Sequence, residues 1–573
     1  MSPSAEPARA RTGATALVET LEAAGVRYVF GVPGTTVMDI IDAIGASDTV
    51  EFIACRHEQV ASFMADGVGR ATHSPGVCLA SRGPGAANLA IGLHNAHAES
   101  IPMVAVVGQV SDALVHRGAF EEMELTDVFS TMTKSAIEIH EADRIGELVG
   151  RTLSLATSGR PGPTLVSIPH DRVQALVDAA PRPLAPPPFR PAPAPDALVQ
   201  AAELLCSASR PLIVLGGGSM AMEHDPNVIA LSEALDAPVV TTWLRKDAFP
   251  NRHANFLGTL GYGAADVSEQ AAREADVILA LGCRFSEFTT RRWTLLDPAT
   301  KIIHVDIDPD ELGHSYPAAL PIVSDARIFT AAVLPLVEAD AASGPVSERQ
   351  RSCRELTTEF RASTEMPAAA SDAPGVPTAA VISALQTVLD DAGARVALVQ
   401  DAATLGPWIG RYLEFDRHAS SYGAGGGSMG WGFGAALGIQ LARPDTRVIC
   451  VTGDGSFWMV GQDLETAVRH SIPLITVVVN NFSYGNTRDR QRVDFNERYL
   501  GVFHTNPDFA AYARLLGAHG ERVEDASELP GALKRAMEAT GPSVIDVIQD
   551  RHEGLPPGMR PPASRTSTTS RES

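Results

Sequence analysis

The chain has 573 residues, 45% hydrophobic and 20% charged, with 49 glycines and 40 prolines, a composition that fits a multidomain soluble α/β protein and excludes a fibrous or wholly disordered one. Its formal net charge of -22 argues against nucleic-acid or anionic-membrane binding, which needs clustered Lys and Arg, and no apolar run approaches the roughly 18 residues of a membrane span. Six cysteines without CxxC or CxxH spacing point to core packing, not to a disulfide frame or a zinc site.

In chain order, residues 1–12 read as a disordered tail that leads, without a signal-peptide core, into the amphipathic helix pattern TGATALVETLEAAGV; a cytoplasmic protein is expected. Three blocks follow, each alternating short β-branched runs with helical patterns, the mark of doubly wound parallel sheets covered by helices on both faces. Residues 13–177 carry strands at VRYVFGVPG, VEFIAC, GVCLAS, PMVAVVG and PTLVSIP. A proline-rich linker spans 178–197. Residues 198–339 offer PLIVLGGG, APVVTT, DVILALG and KIIHVDID, and a second linker, 340–377, encloses a helix pattern. Residues 378–557 offer RVALVQD, TRVICVTGD, PLITVVVNN and PSVIDVI, before a disordered tail at 558–573. Ligands of such sheets sit beyond the carboxyl ends of the strands.

Two of those ends carry an unusual pair. One strand finishes at Gly453-Asp454-Gly455, a helix pattern SFWMVGQDLETAVRHS follows, and the next strand finishes at Asn480-Asn481. If the strands are parallel neighbours, Asp454 and Asn481 reach one sheet edge. A hard cation such as Mg²⁺ takes a few protein oxygens and fills its octahedron with phosphate oxygens. Asp454 supplies a carboxylate, Asn481 an amide oxygen, and a backbone carbonyl near Ser483 a third ligand. Gly453 and Gly455 let the backbone and the following helix N-terminus come close to phosphates. An ordinary turn in a parallel sheet is the plainer reading of a lone GDG; the paired spacing favours a metal-diphosphate site.

With this element the chain resembles the thiamine diphosphate-dependent enzymes, in which GDG...NN anchors the cofactor through Mg²⁺. FGVPGTTVMDIIDAI, RHEQVASFMADGVGRAT, PGVCLASRGPGAANLAIGLHNAHAESIPMVAVVGQ and GGGSMGWGFGAALGIQLARPDTRVICVTGDGSF resemble the acetolactate synthase-like branch, and GSMGxGFG is also similar to benzaldehyde lyase. The resemblance runs from Gly13 to Pro557 and implies pyrimidine-binding, central Rossmann-like and diphosphate-binding domains in that order. It implies a cofactor held between subunits, hence a homodimer or homotetramer. The cofactor-binding set it implies is Pro33, Gly34, Glu58, Gly427, Met429, Gly453, Asp454, Gly455, Ser456, Asn481, Ser483 and Gly485, with Asp454, Asn481 and Ser483 as metal ligands.

Glu58 would hydrogen-bond the cofactor's pyrimidine ring so that the cofactor's own amino group serves as base. A Glu after a strand is, taken alone, more often a helix-cap residue; the flanking HE distinguishes the chain from glyoxylate carboligase, which lacks the carboxylate. Met429 matches the bulky residue that holds the cofactor bent, and Gly427 a carbonyl that accepts from its amino group. SRGPGAANL is expected to form a turn beside the cofactor.

On the substrate side, RGAFEEMELTDVF keeps an aromatic at Phe120 but has Glu121 where acetolactate synthases have glutamine, a run also similar to the 2-hydroxyacyl-CoA lyases. His116 stands without the second histidine of pyruvate decarboxylases, and Lys134 fits a generic family position. Beyond Asn481, GNTRDRQR places Arg490 at the position of a family tryptophan, and a guanidinium there suits a carboxylate or phosphate. The central block is similar to acetolactate synthase segments around FAD, yet Phe288 stands at an arginine position and Arg245-Lys246-Asp247 replaces a small-residue loop, so FAD is left open.

The expectation is an enzyme that decarboxylates a pyruvate-like 2-oxo acid and ligates the product to an aldehyde, ketone or oxo-acid acceptor, with Glu58, Phe120, Glu121 and Arg490 as its catalytic and substrate-side residues. The alternative is a lyase or decarboxylase without ligation, benzaldehyde lyase-like or acyl-CoA lyase-like.

Overall fold

The computed structural model describes residues 11–180, 189–219, 224–341, 346–368, 374–391 and 395–559. Most of both expected tails, the middle of the proline-rich linker and parts of the second linker lie outside the described residues.

Eighteen strands form three parallel six-stranded sheets among the described residues. The first holds β1 (Tyr28–Gly31), β2 (Glu51–Ala54), β3 (Gly76–Ser81), β4 (Met103–Gln109), β5 (Ser135–Glu138) and β6 (Pro163–Pro169) in the order β2-β1-β3-β4-β6-β5. The second holds β7 (Pro211–Leu215), β8 (Val239–Thr241), β9 (Phe256–Thr259), β10 (Val277–Leu281), β11 (Lys301–Asp306) and β12 (Leu320–Val323) in the order β12-β11-β10-β7-β8-β9. The third holds β13 (Arg395–Gln400), β14 (Ser421–Gly423), β15 (Thr446–Gly453), β16 (Ile475–Asn480), β17 (His519–Val523) and β18 (Ser543–Ile548) in the order β14-β13-β15-β16-β18-β17. These are the three α/β domains expected from the alternating pattern.

Inner strands such as β4, β6 and β16 are buried along their whole length, as a sheet covered on both faces requires. Each sheet has its own core, built around residues such as Val104 and Val166, Ile213 and Leu279, and Val477 and Ile545. The first helix, Gly13–Ala23, starts where Thr12 accepts a hydrogen bond from the Thr15 amide at 3.4 Å. A helix at Val346–Ser363 lies within the second linker.

By contacts the chain divides into two compact units. One is made of the described parts of Met1–Pro188 with Gly425–Pro444 and Val460–Leu474; the other is made of the described parts of Phe189–Ala424, Asp445–Met459 and Ile475–Ser573. In the first unit the helix Glu58–Thr72 crosses the helix Trp431–Ala442 at very short range. A Cβ on Gly67 would lie 2.2 Å from the Ala435 carbonyl oxygen, and one on Gly438 2.0 Å from that of Met64. Only glycine fits at such an approach. Beside the crossing, Arg70 bonds Asp66 at 2.5 Å and Glu99 at 3.5 Å, lies 4.5 Å from the Trp431 ring centre, and Asn95 donates to Asp66 at 2.7 Å. Asp66 and Arg70 are buried, so loss of one partner would leave the other charge uncompensated.

Replacing Gly438 by alanine is expected to destabilise the protein by about 1–3 kcal/mol, the range for overpacking a tight contact. Gly45→Ala, with nothing within 4 Å of its added Cβ, serves as control. Melting temperatures check this, and equal values for the two variants would contradict it.

Candidate functional site

The residues expected on the diphosphate side belong to the second unit. β15 and β16 are parallel neighbours in which Gly453 pairs with Val479, so Asp454 and Asn481 both emerge at the carboxyl edge of the third sheet. Asp454 opens the one-turn helix Asp454–Phe457 and is 1% exposed. Its Oδ2 accepts from Asn506 Nδ2 at 2.6 Å and lies 3.1 Å from His504 Nε2. Burial raises the carboxyl above its ordinary value, opposed by Asn506 and His504. Asn506 Nδ2 also reaches Asn480 Oδ1 at 2.9 Å, and Asn480 Nδ2 donates to Asp546 Oδ1 at 2.9 Å. A polar chain thus runs from β18 through β16 to Asp454.

Asn481 is buried, and its Oδ1 accepts from the Ser483 amide at 3.2 Å and the Ser483 hydroxyl at 2.9 Å. The donor set of a carboxylate, an amide oxygen and backbone carbonyls is the hard-oxygen chemistry that suits Mg²⁺, and a cation here would relieve the desolvated Asp454. The residues fit the ion. Gly455 allows Tyr484 to close in, since a Cβ there would lie 2.6 Å from the tyrosine ring. Ser456 bonds the Ala402 carbonyl at 3.3 Å, and Gly485 begins the helix Gly485–Asp494 against Thr404.

The expected single helix after GDG is not formed. The segment holds the turn Asp454–Phe457, a 3-10 turn Gly461–Asp463 and the helix Leu464–Arg469. Gly461 is a poor helix former, and Asp463 commits Oδ1 to the Arg56 amide at 2.8 Å and the Thr466 hydroxyl at 2.9 Å.

The Asp463–Arg56 bond lies within the first unit, where Glu58 is the first residue of its helix. His57 caps it, its Nδ1 accepting from the Gln59 amide at 3.1 Å. The preceding loop is held by Asp463, by Arg56–Glu465 at 2.7 Å and by Arg469 donating to the Ala54 carbonyl at 2.6 Å. Glu58 is half-buried; Oε2 accepts from Asn88 Nδ2 at 2.9 Å, and Oε1 would lie 3.2 Å from a Cβ on Gly85. SRGPGAANL is not a turn: Arg82–Glu99 is one helix with the Gly-Pro-Gly in its first turn, where proline's missing N–H does no harm.

Gly427 and Met429 lie in the same unit as Glu58, Gly427 at φ +75° and exposed, Met429 half-buried. Pro33 is exposed in the loop after β1, and Gly34 sits where a Cβ would be 2.4 Å from that of Ser81. Phe120 is 78% exposed, while Glu121 is half-buried at φ +64° and its carbonyl accepts from the Gly83 amide at 3.0 Å. Lys134 donates to the Leu155 and Ser158 carbonyls at 2.6 Å each, closing a helix end.

Arg490, in the second unit, is half-buried. Burial pushes the phenol of Tyr262, in the FLGTLGYG segment, up; Asp489 adds to the rise, and Arg490 and Arg291 oppose it. There Phe288 stacks on Trp243 at 4.6 Å and the Arg245 Nε lies 3.1 Å from a Cβ built on Gly217. Asn88, His504, Asn506 and Arg488 carry no sequence signal of their own, because only the fold brings them to Glu58, Asp454 and Ser483.

Comparison with known proteins matches three models of one family along the chain. These are the N-terminal TPP binding domain of thiamine pyrophosphate enzymes at residues 11–130, the central domain at 198–333 and the C-terminal TPP binding domain at 401–547. The chain is 33% identical to a probable acetolactate synthase large subunit of Methanocaldococcus jannaschii, covering 96% of this chain and 94% of that one. It is 32% identical to the acetolactate synthase isozyme 2 large subunit of Escherichia coli, over 97% and 98%. It is 33% identical to the acetolactate synthase large subunit of Corynebacterium glutamicum, over 95% and 88%.

The polar chain behind Asp454 generates a pH prediction. Burial raises the Asp546 carboxyl to about 6, against hydrogen bonds from Asn480 and the Phe509 amide. The folded protein keeps a proton that the unfolded chain, with a carboxylate near about 3.9, has released. This group's contribution to stability is therefore full at low pH and is lost as pH rises from about 4 to about 6. The difference in unfolding free energy between wild type and Asp546→Asn is expected to move by about 2 kcal/mol in favour of the variant across that window. Urea titrations at pH 4.5 and 6.5 check it, and a difference independent of pH would contradict it.

Proposed function

Since the chain belongs to the thiamine pyrophosphate enzymes, on the branch of the acetolactate synthase large subunits, we propose that it decarboxylates pyruvate and joins the remaining two-carbon unit to a second 2-oxo acid. Two observations, one in each unit, support this reading: Glu58 is fixed by Asn88 at a helix start, and Asp454 and Asn481 are delivered to one sheet edge by the β15–β16 register.

Asp454, Asn481 and the Ser483 carbonyl would hold Mg²⁺, and Gly453, Gly455, Ser456 and Gly485 would border the diphosphate. Thiamine diphosphate, when bound, supplies the electron sink for carbon dioxide loss and for the carbon–carbon bond formation that follows. Glu58 holds or shares a proton toward the pyrimidine, with Oε2 oriented by Asn88 and Oε1 on the Gly85 side. Gly427 and Met429, and Pro33 and Gly34 in the loop after β1, would border the same cofactor. Arg490 offers a guanidinium to an acceptor carboxylate, with Phe120 and Glu121 on the donor side. The overall reaction, two pyruvates and a proton giving acetolactate and carbon dioxide, is redox-neutral, so it calls on FAD for no electron transfer.

Assembly as a homodimer or homotetramer belongs to this reading. Trp458 and Met459, immediately after the Asp454 turn, are 51% and 42% exposed, the exposed apolar surface that a second copy would cover. No helix of the described residues is long and apolar enough to cross a membrane, and a cytoplasmic setting is part of the proposal.

Incubation with pyruvate, Mg²⁺ and thiamine diphosphate, with products identified by mass spectrometry, is expected to yield acetolactate. Glu58→Gln is expected to lower the rate by about 10²-fold or more, the scale of a lost proton-transfer group. Acetaldehyde as the sole product would support the lyase reading, and no loss of pyruvate would discard it as donor.

A further inference from the structure

Helix Gly485–Asp494 carries arginines at 488, 490 and 492, and of these Arg488 is 1% exposed while the others are not buried. A guanidinium taken out of water is tolerated only where its donors are met. Nε and Nη2 of Arg488 donate to Asp489 Oδ1 at 3.1 and 3.0 Å. Nη2 also donates to the Glu553 carbonyl at 2.5 Å, and Nη1 to the Arg551 carbonyl. The remaining bond runs from Nη1 to the Ser483 hydroxyl at 3.1 Å.

Arg488 is thereby fastened on one side to the segment Arg551–Gly554, which the Thr378 amide also holds through the Glu553 carboxylate at 2.9 Å and which Trp408 Nε1 holds through the Gly554 carbonyl at 2.9 Å. On its other side stands Ser483, whose hydroxyl accepts from Arg488 and turns its own hydrogen toward Asn481 Oδ1 at 2.9 Å. We propose that Arg488 is a positioning residue for the Asn481–Ser483 loop, setting the amide oxygen and the Ser483 backbone for the metal. The inference rests on the reading that this loop holds Mg²⁺.

The physical consequence follows from the Ser483 hydroxyl. A cation at Asn481 Oδ1 displaces a donor that now comes from Ser483, and Arg488 keeps that hydroxyl oxygen in place while its hydrogen turns away. Without the guanidinium fork the loop must be ordered at the moment of binding, which weakens metal affinity and leaves turnover at saturating metal largely intact. Lysine keeps the charge but loses the planar fork and cannot serve both sides.

The test is calorimetric titration of the full-length chain with Mg²⁺ at saturating thiamine diphosphate, for wild type, Arg488→Lys, Ser483→Ala and the double variant. Arg488→Lys is expected to weaken Mg²⁺ binding about 10-fold or more, the scale for residues that orient metal ligands. Ser483→Ala, which retains the backbone carbonyl, is expected to weaken it as well, and the double variant no further than the weaker single one. Trp408→Phe loosens the same C-terminal segment without touching Ser483; it is expected to lower the melting temperature and leave Mg²⁺ affinity within about twofold. Wild-type affinity in Arg488→Lys, multiplicative single effects, or an equal loss in Trp408→Phe would each overturn the proposal. Failure of wild type to bind Mg²⁺, or wild-type affinity in Asp454→Asn, would instead refute the metal-site reading and take this inference with it.

Discussion

The register between β15 and β16 is the constraint on which the proposed chemistry depends. With Gly453 opposite Val479, the parallel pairing ends at the point where Asp454 and Asn481 leave the sheet. Side chains alternate faces along a strand, so a one-residue slip would turn every side chain of the slipped strand to the opposite face of the sheet. Every residue of β16 is buried, so each of them would have to repack against a face shaped for another side chain. The chain Asp546–Asn480–Asn506–Asp454 then fixes the edge in detail. A carboxylate at each end and amides between them leave no freedom in which way the amides face.

Glu58 is positioned by different means. It starts a helix, and its orientation depends on the cap at His57, on the loop before it and on the helix that crosses behind it. The loop is tied to Asp463, Glu465 and Arg469, all from the stretch between the GDG and NN motifs. The crossing is fixed by glycines at 67 and 438 and by the buried group of Asp66, Arg70, Glu99 and Trp431. The stretch between the two motifs is therefore a brace for the carboxylate, which explains why it breaks into short pieces instead of forming one regular helix.

The inner part of each sheet was legible in the sequence because buried parallel strands are continuous β-branched runs. The strands that escaped notice, β5, β9, β12, β14 and β17, all lie at sheet edges. They are three to five residues long, and β5, β12 and β17 are only partly buried, so their apolar signal is diluted. GDG and NN announced themselves through spacing, and Glu58 through its resemblance to a family motif. Asn88, Asn506 and Arg488 could not be found that way, since each acts on a residue whose proximity the fold creates. Arg490 drew attention by departing from the family pattern, but two residues along a helix lie on different faces, and it is Arg488 that is buried beside Ser483.

On the proposed function, the carboxyl edge of the third sheet holds Mg²⁺ and a diphosphate. The most direct measurement is a high-resolution structure of the chain with Mg²⁺ and thiamine diphosphate. The expected result is an octahedral ion at about 2.0–2.1 Å from an Asp454 carboxylate oxygen, Asn481 Oδ1 and the Ser483 carbonyl, completed by diphosphate oxygens. A metal bound elsewhere, or a diphosphate seated away from Asp454 and Asn481, would contradict it.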